Sequence, residues 1–369
     1  MRREKFIDTA RLATSCEGNL AFGKEAIEAF GNASEIFELG HREAVERFPP
    51  LAAIAGRLFS RQTADAAARD VDWAMEHGVE MVTIDSEDYP YRLRECPDPP
   101  LLLYLRGKCN FHRDRFIAIV GTRAATQYGR RYCDKIVEGL SKCVIKPVVV
   151  SGLALGIDTY AHTFALRYGL DTVAVTATGL DTVYPASNRD LAPKIEERGA
   201  IVTEFWSGTA PYPSNFVSRN RIVAGMSDGT LVVESRLRGG SLITAKAAFN
   251  YDREVFAFPG RIEDENFAGC NELIASDIAH LARDAGDICR ELEWASEGRS
   301  HADRSQNVWN ALSPEKKAVI QALRRGGEMD AAQIALCCGR GIPQVSYLLL
   351  EMEIEGLVRH ISANKYVNL

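Results

Sequence analysis

The chain has 369 residues, of which 46% are hydrophobic and 25% are charged, so its composition is that of an ordinary globular protein. Its net charge of −6 at pH 7 argues against a protein that coats nucleic acid through bulk positive charge. No stretch approaches the ~20 apolar residues of a membrane span, and the basic start of the sequence lacks the apolar core of a secretory signal, so we expect a cytoplasmic protein with no membrane association.

Residues 1–80 predict a small helical domain, in which glycines interrupt the helical patterns and residues 61–77 form the longest amphipathic segment. The glycines at 18 and 23, followed by a helix, suggest a SAM or helix-hairpin-helix module, which would hold DNA phosphate through backbone amides. The glycine spacing is loose, so a bundle that packs against the rest of the protein or binds a partner is favoured.

Residues 81–296 alternate short apolar runs, rich in β-branched residues, with amphipathic segments of helix length. The runs lie at 116–120, 147–150, 172–175, 200–203, 230–233 and 254–258. Continuous apolar strands between helices are typical of a parallel sheet that is buried on both faces. We therefore predict an α/β fold with an extended, Rossmann-like, doubly wound and mostly parallel sheet.

A polar stretch, 295–306, separates this core from a terminal unit at 305–369. Three helical patterns, at 314–324, 330–337 and 342–355, precede two short strand patterns at 356–361 and 365–368, and this order predicts a winged-helix domain. The presumed recognition helix contains Glu351, Glu353 and Glu355 and no lysine or arginine. We expect it to contact protein or to play an auxiliary role, because carboxylates repel duplex phosphates.

Four of the predicted strands are followed by loops whose residues are suited to binding anions. Glycine allows close backbone approach, hydroxyls donate hydrogen bonds and arginine adds a charged fork. Because parallel α/β sheets bind ligands at the carboxyl ends of their strands, these loops predict an extended anion-binding surface. For the loops at Gly152 and at 178–181, tight turns alone remain an alternative. The candidate binding residues in the loops are Gly121, Thr122, Arg123, Thr126, Ser151, Gly152, Gly156, Gly240, Ser241 and Thr244.

The segment 211–221 combines aromatic and basic residues, with Phe216 ahead of Arg219, Asn220 and Arg221. Arginines for phosphates and aromatic faces for bases are the combination that single-strand binders use. Equally, Phe216 could pack in the core while the two arginines pair with nearby carboxylates.

Two nucleotide-binding motifs are absent, and charge is unevenly distributed. The sequence contains neither G-x-G-x-x-G after its first core strand nor G-x-x-x-x-G-K-[ST] anywhere, so we expect no nicotinamide or ATP cofactor. Residues 121–260 contain 16 Lys and Arg against 13 Asp and Glu, so this segment carries a charge of +3. Because the whole chain carries −6, the other residues together carry −9. A local excess of positive charge of this size is enough for a groove that binds nucleic acid if its cations lie close together.

The ordered motifs of the core resemble the DprA/Smf family, that is, DNA-processing protein A. The resemblance is carried by residues 119–123, 151–162, 178–185, 219–225, 240–245 and 259–260, and it extends back to 88–93 and 99–104. It implies a homodimer that binds single-stranded DNA without catalysis and loads RecA onto it during DNA uptake, natural transformation and recombination. The family's phosphate-binding arginine corresponds to Arg123, and Phe216 and Lys246 are weaker candidates for DNA contact.

The alternative is an enzyme, a Rossmann-like nucleotide phosphoribohydrolase of the LOG group, which also has a Gly-Gly phosphate loop. That group carries a catalytic glutamate on the following helix turn, where this chain has Lys246. Asp158 and His162 lie four residues apart and could form an acid–base couple, but a capping aspartate and a structural histidine fit the pattern as well. We therefore expect no turnover and no cofactor.

The nine cysteines include no C-x-x-C pair and no Cys/His cluster with zinc spacing, so we expect no metal site. We interpret them as reduced thiols in the core. Cys337 and Cys338 could be a redox pair, but adjacent cysteines rarely bridge easily, and buried thiols are favoured there too.

Overall fold

A computed structural model describes residues 2–16, 18–294, 312–326, 329–354, 357–361 and 365–368, which belong to two compact units, 1–295 and 296–369. The division between the units falls at the start of the predicted linker, 295–306, all of which lies outside the described residues. No helix within the described ranges combines the length and the apolar character needed to cross a bilayer.

The first unit is built around a nine-stranded sheet. Its strands are β1 (Glu80–Thr83), β2 (Leu102–Gly107), β3 (Phe116–Val120), β4 (Val148–Ser151), β5 (Thr172–Val175), β6 (Ala200–Thr203), β7 (Gly229–Val232), β8 (Glu254–Ala257) and β9 (His280–Leu281). The strand order is β1-β2-β6-β5-β4-β3-β7-β8-β9. The pairs β1–β2 and β2–β6 are antiparallel and all the other pairs are parallel, which confirms the predicted mostly parallel α/β sheet.

Helices follow most of the strands. They are α6 (Tyr91–Glu95), α7 (Gln127–Leu140), α8 (Ile157–Arg167), α9 (Ala192–Arg198), α10 (Pro213–Gly225), α11 (Ser241–Asn250), α12 (Ala268–Ala275) and α13 (Ala285–Glu291). The chain moves outward from β3 to β6 on one side and then resumes at β7 on the other side of β3. This reversal between β3 and β7 is a topological switch point, where open α/β sheets form a crevice at their carboxyl ends.

Both faces of the central strands are covered, as their continuous apolar runs predict. Along β3, Phe116, Ala118 and Val120 belong to a core that includes residues of α10 and α11. The alternate residues Ile117 and Ile119 belong to a second core that is shared with α7, α8 and α13. The alternation follows from the two-residue period of a strand, and every residue of β3 is buried.

The N-terminal segment consists of helices, as predicted: α1 (Arg2–Ser15), α2 (Leu20–Phe30), α3 (Ala33–Arg47), α4 (Ala55–Leu58) and α5 (Arg61–Glu76). These helices belong to the same compact unit, 1–295, as the sheet, and the predicted domain boundary at residue 80 stays a prediction. Residues of these helices share two cores with the sheet, one through Leu12 and Ile36 and the other through Ala67 and Val71. The SAM or helix-hairpin-helix assignment of this segment stays a prediction.

The second unit contains the helices Pro314–Gly326, Ala331–Cys338 and Ile342–Ile354 and the strands Met329–Asp330, Val358–Ile361 and Lys365–Asn368. The strands form a three-stranded antiparallel sheet with Lys365–Asn368 in the middle. A core that includes Val319, Ile334, Val345 and Leu349 joins the helices. The three helices and the last two strands match the predicted patterns, whereas the strand Met329–Asp330 was not predicted. The winged-helix assignment stays a prediction.

Candidate anion-binding cleft

A cleft of about 550 Å³ lies at the carboxyl ends of β3, β4 and β7, which is the position that the topological switch point predicts. The loops after these three strands, helix α10 and the first turn of α11 form most of its lining. The predicted site residues among its lining are Gly121, Thr122, Arg123, Gly152, Phe216, Arg219, Asn220, Gly240, Ser241 and Thr244. The predicted residues outside the lining are Thr126, Ser151, Gly156, Arg221 and Lys246.

The loop after β3 presents Arg123 to solvent. Its guanidinium carbon lies 4.8 Å from the centre of the Phe216 ring, within the range of a cation–π interaction. Among the residues that the structure describes, no carboxylate forms an ion pair with Arg123, and the side chain is exposed. Its charge is therefore available to a ligand.

Glu234, two residues after the end of β7, holds this loop through hydrogen bonds. Its carbonyl oxygen accepts a hydrogen bond from the Thr122 amide at 2.7 Å. Its carboxylate accepts hydrogen bonds from the Thr126 amide and hydroxyl, both at 3.0 Å to Oε2. Thr126 also caps α7, because its hydroxyl oxygen accepts a hydrogen bond from the Gly129 amide at 3.1 Å. The Thr126 hydroxyl is thus committed within the protein and does not face the cleft.

The loop after β4 contributes Gly152, where a side chain would not fit. A Cβ atom there would lie 2.5 Å from Nη2 of Arg219. Ser151 is buried and donates its hydroxyl to the Ile119 carbonyl at 2.7 Å, so it supports the sheet and does not reach the cleft. Gly156 has φ +77°, and a Cβ atom there would lie 2.2 Å from the Thr122 carbonyl oxygen, so glycine allows α8 to begin directly against the first loop.

Arg219, on α10, is buried beneath the cleft. Its Nη1 donates hydrogen bonds to the carbonyls of Gly152, at 2.5 Å, and Val175. Burial lowers the pKa of Arg219 to about 10; the nearby carboxylate of Asp158 opposes this shift, and the charge of Arg123 adds to it. The guanidinium therefore stays charged at neutral pH and ties the ends of two strands together.

The other residues of α10 divide between the cleft and the interior. Phe216 lines the cleft, and its ring centre lies 5.6 Å from that of Tyr184. Asn220 also lines the cleft and donates to the Gly240 carbonyl at 3.4 Å. Arg221 points elsewhere, pairing with Glu204 and donating to the Asp98 carbonyl at 2.6 Å. The ion-pairing alternative raised by the sequence thus describes Arg221, whereas Phe216 is at the cleft.

The loop between β7 and α11 closes the other side of the cleft. Ser241 and Thr244 are buried in the first turn of α11, and a Cβ atom at Gly240 would meet no other atom within 4 Å. Arg236 and Arg238, which our site prediction omitted, line the cleft from this loop and are exposed. Their position in a glycine-rich loop directly after a core strand was the sequence signal that could have identified them.

The cleft is strongly cationic despite the negative charge of the whole chain. Its lining contains Arg123, Arg219, Arg236 and Arg238 against one acidic residue, Asp158. Asp158 is itself buried and accepts hydrogen bonds from the amides of Gly152, at 3.1 Å, and Ala154, at 3.4 Å. Exposed guanidinium groups beside an aromatic ring and the start of a helix form a site for phosphates with a neighbouring planar group.

His162 is not positioned for proton transfer in the cleft. It is fully buried and outside the cleft lining, and its Nδ1 lies 2.7 Å from the Thr172 hydroxyl. Burial and, secondarily, the charge of Arg219 lower its pKa to about 3, so the imidazole is neutral at physiological pH. Its contacts are those of a structural histidine.

One group of possible metal ligands lies away from the cleft, within the part of the chain that the structure describes. Ligand atoms of Glu254, His280 and Glu291 all lie within 4.8 Å of one another. All three side chains are exposed, and His280 Nε2 lies 3.0 Å from Glu254, so an ordinary surface ion pair accounts for the group. The absence of a metal site stays a prediction.

Fold and cleft together define an open α/β protein with an arginine-lined cleft at the switch point of its sheet. Residues 80–293, more than half of the chain, match the family model of DNA recombination-mediator protein A. The chain therefore belongs to the DprA/Smf family, as its motifs predicted.

Individual relatives agree with this assignment. The DNA processing protein DprA of Streptococcus pneumoniae is 40% identical over 206 residues, which are 56% of this chain and 72% of the relative. Its X-ray structure superposes with a TM-score of 0.61 at 33% identity, covering 76% of this chain and 95% of that one. DNA processing protein A from Helicobacter pylori, whose structure was determined to explain its single-stranded DNA binding mode, has a TM-score of 0.52 at 28% identity, with coverages of 58% and 95%.

Proposed function

We propose that this chain binds single-stranded DNA in the arginine-lined cleft, without catalysing a reaction on it. The observation that carries the proposal is the exposed pairing of Arg123 with the Phe216 ring at the switch point of the sheet. A polynucleotide strand offers what such a pair recognises, namely a phosphate for the guanidinium and an unstacked base for the ring. The described binding mode of the Helicobacter pylori relative supports the same ligand.

The geometry favours one strand over a duplex. Phe216 lines the cleft beside Tyr184, and a base that stacks on its ring must be free of its pairing partner. Arg236 and Arg238 extend the positive surface from the opposite loop, so that successive phosphates can each meet a cation. Phosphate and stacking contacts carry little base identity, so we expect binding with weak sequence preference.

Replacing Arg123 with alanine tests the proposal. We expect weaker binding to oligo-dT and to mixed-sequence single strands alike, with the slope of log K against log salt reduced by about 0.7 for the lost phosphate contact. Fluorescence anisotropy at several salt concentrations measures both quantities.

Arg131→Ala is the matched control. It removes the same charge, but Arg131 is an exposed arginine on α7 outside the cleft lining. It should leave the slope unchanged. An Arg123→Ala protein with wild-type affinity would refute the role of the cleft.

The phosphoribohydrolase alternative is not favoured by the site. The catalytic glutamate of that group corresponds to Lys246, which is exposed and lies outside the cleft lining. Asp158 is occupied by two backbone amides beneath the cleft, and His162 is buried away from it. Release of free base from AMP by the purified protein, lost in Asp158→Ala, would overturn the non-catalytic proposal.

We also propose that the chain acts as a cytoplasmic homodimer that passes its bound strand to RecA during DNA uptake, natural transformation and recombination. The family's description as a recombination mediator supports this role. Light scattering should give twice the mass of the chain, and the protein should accelerate RecA filament formation on strands that carry a single-strand-binding protein. A monomer that leaves RecA assembly unchanged would contradict it.

A further inference from the structure

Two cysteines that are far apart in sequence meet on the side of the first unit that carries α7 and α13. The Sγ atoms of Cys143 and Cys289 lie 3.3 Å apart, across a sequence separation of 146 residues. Cys143 follows the end of α7 and is half-buried, whereas Cys289 lies within α13 and is buried. One thiol is thus accessible from solvent and the other lies behind it.

We propose that Cys143 and Cys289 form a redox-active pair that a hydroperoxide converts into an intramolecular disulfide. A disulfide bond is about 2.05 Å long, so the two sulfurs need to approach by only about 1.3 Å from their 3.3 Å contact. The elements that carry them are already packed together. The Tyr132 hydroxyl of α7 donates to the Ala282 carbonyl just before α13, at 2.5 Å, and a Cβ atom at Gly139 would lie 2.6 Å from that of Ala285.

The surroundings of Cys143 favour its thiolate. The hydrogen bond with the Cys289 sulfur and the positive charge of Arg115 both lower the pKa of Cys143, against the effect of burial. Burial instead raises the pKa of Cys16, Cys109 and Cys270 to about 12. Because the thiolate is the nucleophile, Cys143 is the cysteine that reacts first.

The chemistry has two balanced steps. The Cys143 thiolate attacks the distal oxygen of the hydroperoxide, the O–O bond breaks, and the departing alkoxide or hydroxide takes up the proton released from the thiol, leaving a sulfenic acid. The Cys289 sulfur then attacks the Cys143 sulfur, the S–O bond breaks, and the hydroxyl leaves as water with the Cys289 proton. Overall, two thiols and one hydroperoxide give one disulfide, one alcohol or water molecule and one water.

The disulfide lies far from the cleft. α7 begins beside the cleft at its cap, Thr126, and its 14 residues place the end that precedes Cys143 about 21 Å away. Oxidation should therefore tie α13 to α7 and raise the melting temperature while leaving oligo-dT affinity unchanged. This separation makes the proposal independent of the proposed function.

The test treats the reduced full chain with stoichiometric hydrogen peroxide and then counts free thiols and maps peptides. We expect a fall from nine thiols to seven, with a Cys143–Cys289 linked peptide that dithiothreitol cleaves. In Cys289→Ser the second step is blocked, so dimedone should trap a sulfenic acid at Cys143. In Cys143→Ser neither the link nor the adduct should form.

Cys337→Ser is the matched control, because it removes an exposed cysteine from the second unit and should leave the 143–289 link intact. Three outcomes would overturn the proposal: loss of no thiols, a link that involves Cys337 or Cys338 instead, or irreversible oxidation of Cys143 without a link. Each single variant is checked for folding by circular dichroism, and the dimedone adduct in Cys289→Ser reports on Cys143 without needing the disulfide.

Discussion

Phe216 is the residue whose contribution can best be separated from charge. Replacing it with alanine should weaken binding to single strands by about 1–3 kcal/mol, because one base loses its stacking surface. The slope of log K against log salt should stay that of the wild type, in contrast to Arg123→Ala. Phe216→Tyr, which keeps an aromatic face, should retain most of the affinity. A change in slope on Phe216→Ala would show that the ring acts mainly by positioning Arg123.

At the scale of residues, the sequence predicted which segments line the cleft better than it predicted which side chains of those segments face it. Strand-end loops identified Arg123 and Gly152, because the carboxyl ends of parallel strands share one edge of a sheet. The same rule also selected Ser151, and the aromatic and basic pattern of 211–221 selected Arg221, yet both side chains turn inward to backbone and carboxylate partners. Which way a side chain turns depends on neighbours that are distant in sequence, such as Glu204 for Arg221, and no local pattern contains that information.

At the scale of secondary-structure elements, the start of α8 against the β3 loop is a point of high constraint. Gly156→Ala should destabilise the protein by at least about 1–3 kcal/mol, because its backbone conformation disfavours a side chain and the new methyl group would overlap the Thr122 carbonyl. Urea denaturation measures the effect.

Gly240→Ala is the control for this substitution, since its φ of −62° suits alanine and its Cβ would meet nothing within 4 Å. It should change stability by less than about 0.5 kcal/mol. Equal stability of the two variants would show that the β3 loop shifts freely and that α8 does not hold it.

The core strands were predictable as elements and the edge strands were not. Each of the six apolar runs became a strand within one or two residues of its predicted bounds, because β-branched residues buried on both faces give an unambiguous pattern. β2 was missed because its leucines fit a helix or a strand equally well. β1 starts only four residues after the end of helix α5, and β9 has only two residues, both exposed, so partners in the folded sheet define these strands.

At the scale of the whole molecule, local charge should govern salt dependence and net charge should not. Three arginines of the cleft, Arg123, Arg236 and Arg238, are exposed, whereas Arg219 is bonded to strand carbonyls. Three phosphate contacts predict a slope of log K against log salt of about −2 for single strands. Titration of oligo-dT binding between low and moderate salt measures it.

The double variant Arg236→Ala/Arg238→Ala should reduce that slope to roughly −0.7, the value for one remaining contact. A wild-type slope near zero would mean that the acidic remainder of the chain cancels the field of the cleft. A slope much steeper than about −4 would require cations beyond the cleft, with Lys246 on α11 as the first candidate.

The placement of β3 between β4 and β7 also has a consequence for how the protein is made. β3 ends at Val120 and its partner β7 starts at Gly229, so 108 residues must leave the ribosome between the two strands. At about 5–20 residues per second, the central strand waits roughly 5–20 s for its second neighbour. During that interval a nascent chain exposes an apolar strand edge, which makes early association with a chaperone advantageous for this topology.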